Sequence, residues 1–134
     1  MMKPINQKNF TTLHGDCFRC CVASIFEDET VPNFMKPDPE AYYDRLIEWA
    51  DEKGYAVMNI RLDSIDDGIR KTLKNCYLIA CGESSGGDIG HAVVWLNGQM
   101  VHDPHPAKSG LKDKPESFTI FIAKNPANKK ESKP

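Results

Sequence analysis

Residues 90–104 read GHAVVWLNGQMVHDP, and the way this stretch turns back on itself decides how the rest of the chain is read. Asn97-Gly98 between two apolar runs is the strongest short hairpin signal in the sequence, because both residues tolerate the positive φ that tight hairpin turns demand. It predicts strands over 91–95 and 99–103. Two registers are open. With a three-residue loop, Leu96-Asn97-Gly98, closed by a type I turn and a bulge at Gly98, Trp95 faces Gln99, Val93 faces Val101 and His91 faces Asp103 directly. Directly opposed side chains lie about 4.5–5.5 Å apart at Cβ, close enough for a carboxylate to hold an imidazole. With the two-residue loop Asn97-Gly98, His91 faces Pro104 and Asp103 turns to the other side of the sheet. Pairing and turn chemistry together favour the first register.

Upstream, His14-Gly15-Asp16 reads as a turn into a helix from Cys17 to about Glu27, with Asp16 as N-cap and Val22, Ile25 and Phe26 as core contacts. Val31 to Pro37 is a loop. Asp38-Pro39-Glu40 starts a second helix on which Tyr43, Leu46, Ile47 and Ala50 recur at helical spacing, with Gly54 as its stop. Tyr55 to Leu62 alternates as a strand, Ser64 to Asn75 reads as a helix, and Cys76 to Cys81 as a short strand. Glu83 to Gly90 is a glycine- and serine-rich loop, and Phe118 to Ala123 is a last strand. The order predicts an α+β fold, with a cysteine-bearing N-terminal helix packed on an antiparallel sheet that carries His91 and Asp103.

Length and composition set bounds on this reading. At 134 residues, 40% hydrophobic and 27% charged, the chain suits one globular domain over residues 1–124, with 125–134 a solvated, disordered tail. Seventeen basic against nineteen acidic residues give no reason to expect nucleic acid as a partner. No stretch approaches the roughly 18 apolar residues that span a bilayer, and Met1 to Phe10 lacks the apolar core of a signal peptide. The expected setting is the reducing cytoplasm, away from membranes. Five cysteines, with Cys17, Cys20 and Cys21 crowded together, make a poor disulfide framework and point to thiol chemistry or metal.

A thiol in the first turn of a helix meets the positive end of the backbone dipole, and such placement beside a base lowers a cysteine pKa from about 8.5 to roughly 3.5–7.5. Cys17 alone occupies that position, and its backbone N–H is available to an oxyanion. His91 is then the base for Cys17, and Asp103 fixes the imidazole tautomer. Gly90 borders the cleft, and Trp95 either shields the pair from water or belongs to the core. No cofactor is called for.

Gly-Asp-Cys at 15–17, Gly90-His91-Ala-Val-Val and Val101-His-Asp103-Pro104 resemble, in this order, the papain-like cysteine peptidase superfamily, closest to the C39-like peptidases. Cys-x-x-Cys-x-Ala-Ser at 17–24, Val-Pro-Asn-Phe at 31–34 and the run through His105-Pro106 are similar to a group of small phage and bacterial proteins. The resemblance covers about residues 7 to 123 and implies a papain-like fold and a Cys17–His91–Asp103 triad acting on a peptide or protein substrate. It also implies an oxyanion-hole glutamine shortly before the cysteine. Thr11 stands at that position here, so Gln7, ahead of Asn9, is the candidate.

Two rivals stand beside the hydrolase. Cys17, Cys20, His102 and His105 have zinc-ligand spacings, although a helical Cys-x-x-Cys and the prolines flanking His105 count against such a site. Alternatively the fold is a binding module that sequesters a partner or small ligand without catalysis.

Overall fold

The structure, a computed structural model, describes residues 2–8, 16–84 and 90–125. Its elements run α1 (Cys17–Phe26), a 3₁₀ turn (Pro39–Ala41), α2 (Tyr42–Glu52), β1 (Tyr55–Arg61), a 3₁₀ turn (Leu62–Ser64), α3 (Asp67–Thr72), β2 (Leu78–Glu83), β3 (Gly90–Leu96), β4 (Gln99–His102) and β5 (Ser117–Ala123). The fold is α+β, as the element pattern predicts. The five strands form one sheet in the order β1-β5-β2-β3-β4, and all its pairings are antiparallel. The turn at His14-Gly15, residues Asn9 and Thr11, most of the expected loop before Gly90 and the tail after Asn125 lie outside the described residues.

α1 is the centre of the molecule. Cys20, Cys21, Val22, Ala23 and Ser24 are all fully buried, so the helix is enclosed on nearly every side, as an all-round apolar sequence requires. Ser24 is tolerated there because its hydroxyl donates to the Cys20 carbonyl at 2.7 Å and accepts the Ile5 N–H at 2.9 Å. Glu27, at φ 55°, closes the helix with its N–H on the carbonyls of Ala23 and Ser24. α1 lies on β3 and α2 on β1. Phe26 fills the space between them, edge-on to Trp49, Tyr55 and Phe121 at 5.0–5.2 Å between ring centroids. On the opposite face, Leu78, Ala80, Val93, Phe118 and Ile120 form a second apolar cluster under Leu62, Ile65 and Leu73.

Three expectations are corrected. Asp16 sits at the N-cap of α1 without capping it; its carboxylate takes the Lys8 N–H at 3.3 Å instead. The helix expected over Ser64–Asn75 shrinks to Asp67–Thr72, because Asp66 is the better cap and holds the Ile69 N–H at 2.8 Å. Ile65 stays outside the helix and packs into the second cluster.

The third correction concerns the hairpin. Asn97 and Gly98 both have positive φ, 51° and 85°, and form a two-residue turn with Leu96 opposite Gln99. The Asn97 side chain accepts the Asn75 N–H at 2.7 Å and donates to the Asn75 side-chain oxygen at 2.9 Å, which holds it in this conformation. Trp95 therefore pairs with Met100 rather than Gln99. A bulge follows, so that Val94 pairs with His102 and Val101 is the extra residue. One extra residue reverses the inside–outside alternation of β4 beyond that point. Pro104 has no N–H to donate, and the ladder ends at His102. His91 and Asp103 are thus not a ladder pair, although the bulge restores the facing that a two-residue turn alone would have lost.

Because an alanine Cβ is strained at the positive φ of Gly98 even where space is open, Gly98→Ala is expected to lower unfolding free energy by about 1–2 kcal/mol in urea titrations.

Candidate functional site

Cys17 is the first residue of α1, His91 the second of β3, and Asp103 follows β4 directly. The fold brings the three together. His91 Nε2 lies 2.7 Å from Asp103 Oδ1, and the Cys17 side chain is near enough to the same ring to favour its protonated form. With Nε2 engaged by the carboxylate, Nδ1 is the ring nitrogen left to the thiol.

Asp103 is the most enclosed member, with its side chain 1% exposed. Its Oδ1 also accepts the His105 N–H at 2.9 Å, and its Oδ2 accepts the Gly110 N–H at 2.7 Å. Gly110 reaches this position at φ 75°. Burial opposes charge on Asp103, but the hydrogen bonds from His91, His105 and Gly110 outweigh it and hold the pKa down to about 2. Burial likewise opposes protonation of His91. The hydrogen bond to Asp103, the nearness of Cys17 and the field of those two groups override it and raise the pKa to about 9. The Asp103-facing nitrogen therefore carries a proton and donates it to a carboxylate.

Around this centre the other cysteines behave differently. Burial, and then the nearby Asp16 carboxylate, push the Cys20 thiol up to about 11. Burial and the nearby Cys17 push Cys81 up to about 12 and Cys21 well above the ordinary thiol range. In all three, burial disfavours the thiolate. Cys17 is partly exposed, and Cys76 is exposed away from the site, ahead of β2.

Gln7 is buried, and its N–H donates to the Pro104 carbonyl at 2.9 Å. Its neighbour Lys8 binds Asp16. The segment that carries Gln7 thus bridges the start of α1 and the residue after Asp103. Gly90 pairs with Glu83 at the start of β3, and a side chain there would meet open space. Trp95 does not line the site. It lies four residues along β3 from His91, roughly 13 Å at about 3.3 Å per residue, and packs edge-on to Phe118 in the second cluster.

The four residues with zinc-ligand spacing are engaged separately. Cys20 is sealed in the core. His102 Nε2 donates to the Ile5 carbonyl at 2.9 Å, and His105 Nδ1 accepts the Ala107 N–H at 3.0 Å. Among the described residues no group of three His, Cys, Asp or Glu side chains is arranged to hold a metal ion. No helix among them is long and apolar enough to cross a membrane.

Sequence reasoning missed the scaffold of the site. His102 ties the hairpin to the N-terminal segment. Lys108 Nζ donates to the Asp103 carbonyl and to Asn6 Oδ1, both at 2.6 Å. His105 stands edge-on to His91 with ring centroids 6.4 Å apart. The Pro-, Lys- and Gly-rich composition of the 104–115 loop was a signal of tight turns, but not of where their N–H groups point. No family model matches the chain, and no curated protein matches it.

The pair sets a pH window for stability. His91, with its folded pKa raised, contributes stability that is complete below about 6.5 and is lost as pH rises through about 9. Asp103, with its pKa lowered, contributes stability that is complete above about 3.8 and is lost as pH falls through about 2. Urea midpoints measured from pH 4 to 10 are expected to fall between 6.5 and 9 in the wild type, and to stay flatter there in His91→Asn.

Proposed function

We propose that this chain is a papain-like cysteine hydrolase, closest in kind to the C39-like peptidases, which cleaves an amide or related acyl bond of a peptide or protein substrate. The observation that carries this reading is the unbroken series from a buried carboxylate through a protonated imidazole to a thiol at a helix N-terminus. Each member has the environment that its role requires. Burying Asp103 and His91 is costly, and a structural pair is more cheaply replaced by apolar side chains. The expense is understandable if the imidazole has a task at the surface that Cys17 shares.

In this mechanism Cys17 and His91 share an ion pair, the imidazolium already holding the proton that the thiol has given up, and the thiolate attacks the substrate carbonyl carbon. The carbonyl oxygen gains the negative charge, and the N–H groups of the first turn of α1, which have no intrahelical acceptor, are its nearest donors. The Gln7 side-chain amide is the second candidate donor, supported by its position between the helix start and Pro104. On collapse the carbon–nitrogen bond breaks, and His91 gives its proton to the leaving amine. Water then attacks the thioester, losing a proton to His91, and the carbon–sulfur bond breaks to restore the thiol site. Asp103 holds the tautomer throughout.

Alkylation with sub-stoichiometric iodoacetamide at about pH 6, where an ordinary thiol is almost wholly protonated, tests the reading by peptide mapping of all five cysteines. Cys17 is expected to react ahead of the exposed Cys76, and the preference should vanish in His91→Ala. Uniform slow labelling of Cys17 and Cys76 would remove the hydrolase and favour the binding module. Gln7→Ala is expected to leave Cys17 labelling unchanged while slowing turnover of p-nitrophenyl acetate by roughly 10²–10³-fold, the typical loss of one oxyanion donor. Unchanged turnover would remove Gln7 from the oxyanion hole.

A further inference from the structure

The two faces of the sheet are covered unequally. α1 and α2 enclose one face, whereas among the described residues the other receives the 3₁₀ turn Leu62–Ser64, the six-residue α3 and Leu111 from the loop before β5. Beside α3 this leaves a groove of about 1300 Å³. Leu62, Leu73, Leu78, Trp95 and Phe118 line it, so its floor is aliphatic and aromatic. Arg70, Lys71, Lys74 and Lys114 stand around the rim against only Asp67 and Asp113, although the whole chain carries a net charge of −2. Among the described residues none of the four cations is held in an ion pair. A local excess of unneutralised positive charge around an apolar floor is the complement of a chain that alternates apolar and acidic groups.

We infer that this groove is a docking site for an amphipathic acidic peptide segment of a partner protein, with its apolar side chains on Trp95 and Phe118 and its carboxylates between the Arg70–Lys74 turn and Lys114. The size favours a peptide, since pockets for small molecules run to roughly 300–1,000 Å³. The geometry is that of an amphipathic segment laid in a groove. The site is independent of the thiol reading: Cys17, His91 and Asp103 are not among its lining residues, and the inference stands whether or not Cys17 is a nucleophile.

The test is fluorescence anisotropy with two fluorescein-labelled peptides of about twelve residues, one alternating Leu with Glu and the other Leu with Lys. The Leu/Glu peptide is expected to bind at least about tenfold more tightly, and to weaken as salt is raised. Charge reversal at Lys71, Lys74 and Lys114, all exposed, should reduce its affinity by roughly tenfold or more, whereas reversal at Lys3, Lys36 and Lys53, away from the groove, should change it far less. Circular dichroism checks that both triple variants remain folded. Equal binding of the two peptides, equal effects of the two triple reversals, or no binding of the Leu/Glu peptide would overturn the inference. So would binding of dodecanoate in place of the peptide, which would make the groove a site for a small amphiphile.

Discussion

An ionised carboxylate that is 1% exposed dictates much of the architecture around it. Left unpaired, such a charge would cost several kcal/mol, and the fold answers with a complete set of donors. Asp103 takes one ring N–H and two backbone N–H groups, and the last of these requires the chain to turn at Gly110. Lys108 fastens the carbonyl of the same residue to Asn6. His102 and Pro104, on either side of Asp103, bind Ile5 and Gln7. The N-terminal segment, the hairpin and the 104–110 loop therefore converge around Asp103 and its two neighbours. The imidazole that Asp103 orients is the group that gives Cys17 its neighbour.

The members of the site were more legible in the sequence than its construction. A cysteine behind a turn at the start of an apolar helix, and a histidine and an aspartate on the two arms of an Asn-Gly hairpin, are local patterns that residue types alone disclose. The expected register was wrong even though the pair meets. A three-residue loop and a two-residue loop followed by a bulge have the same parity, and the argument from facing could not separate them. The choice was made by Asn75, whose hold on Asn97 joins residues 22 positions apart. Trp95 was half-read, since alternation places it on a face without saying which cluster fills that face.

The rest was illegible for related reasons. β5 enters between β1 and β2, a long-range pairing that depends on how both sheet faces are filled. The donors to Asp103 are mostly backbone N–H groups, which every residue except proline possesses, so they leave no trace in composition. Asp16 shows the same effect in reverse: a good capping residue by type was drawn to the N-terminal segment by tertiary structure.

The bulge at Val101 has a bearing on how such a hairpin can vary. Facing depends on whether the number of residues between His91 and Asp103 is odd or even, so a single insertion or deletion anywhere in that interval would turn the carboxylate away from the ring. Changes in length that keep the pair must come in twos, or be cancelled by a second irregularity elsewhere on the same arm. Val101 is itself such a cancelling residue, opposite no partner and 42% exposed. Its side chain is free to drift while its presence is not, and a lineage carrying this site would preserve the spacing there more faithfully than the residue.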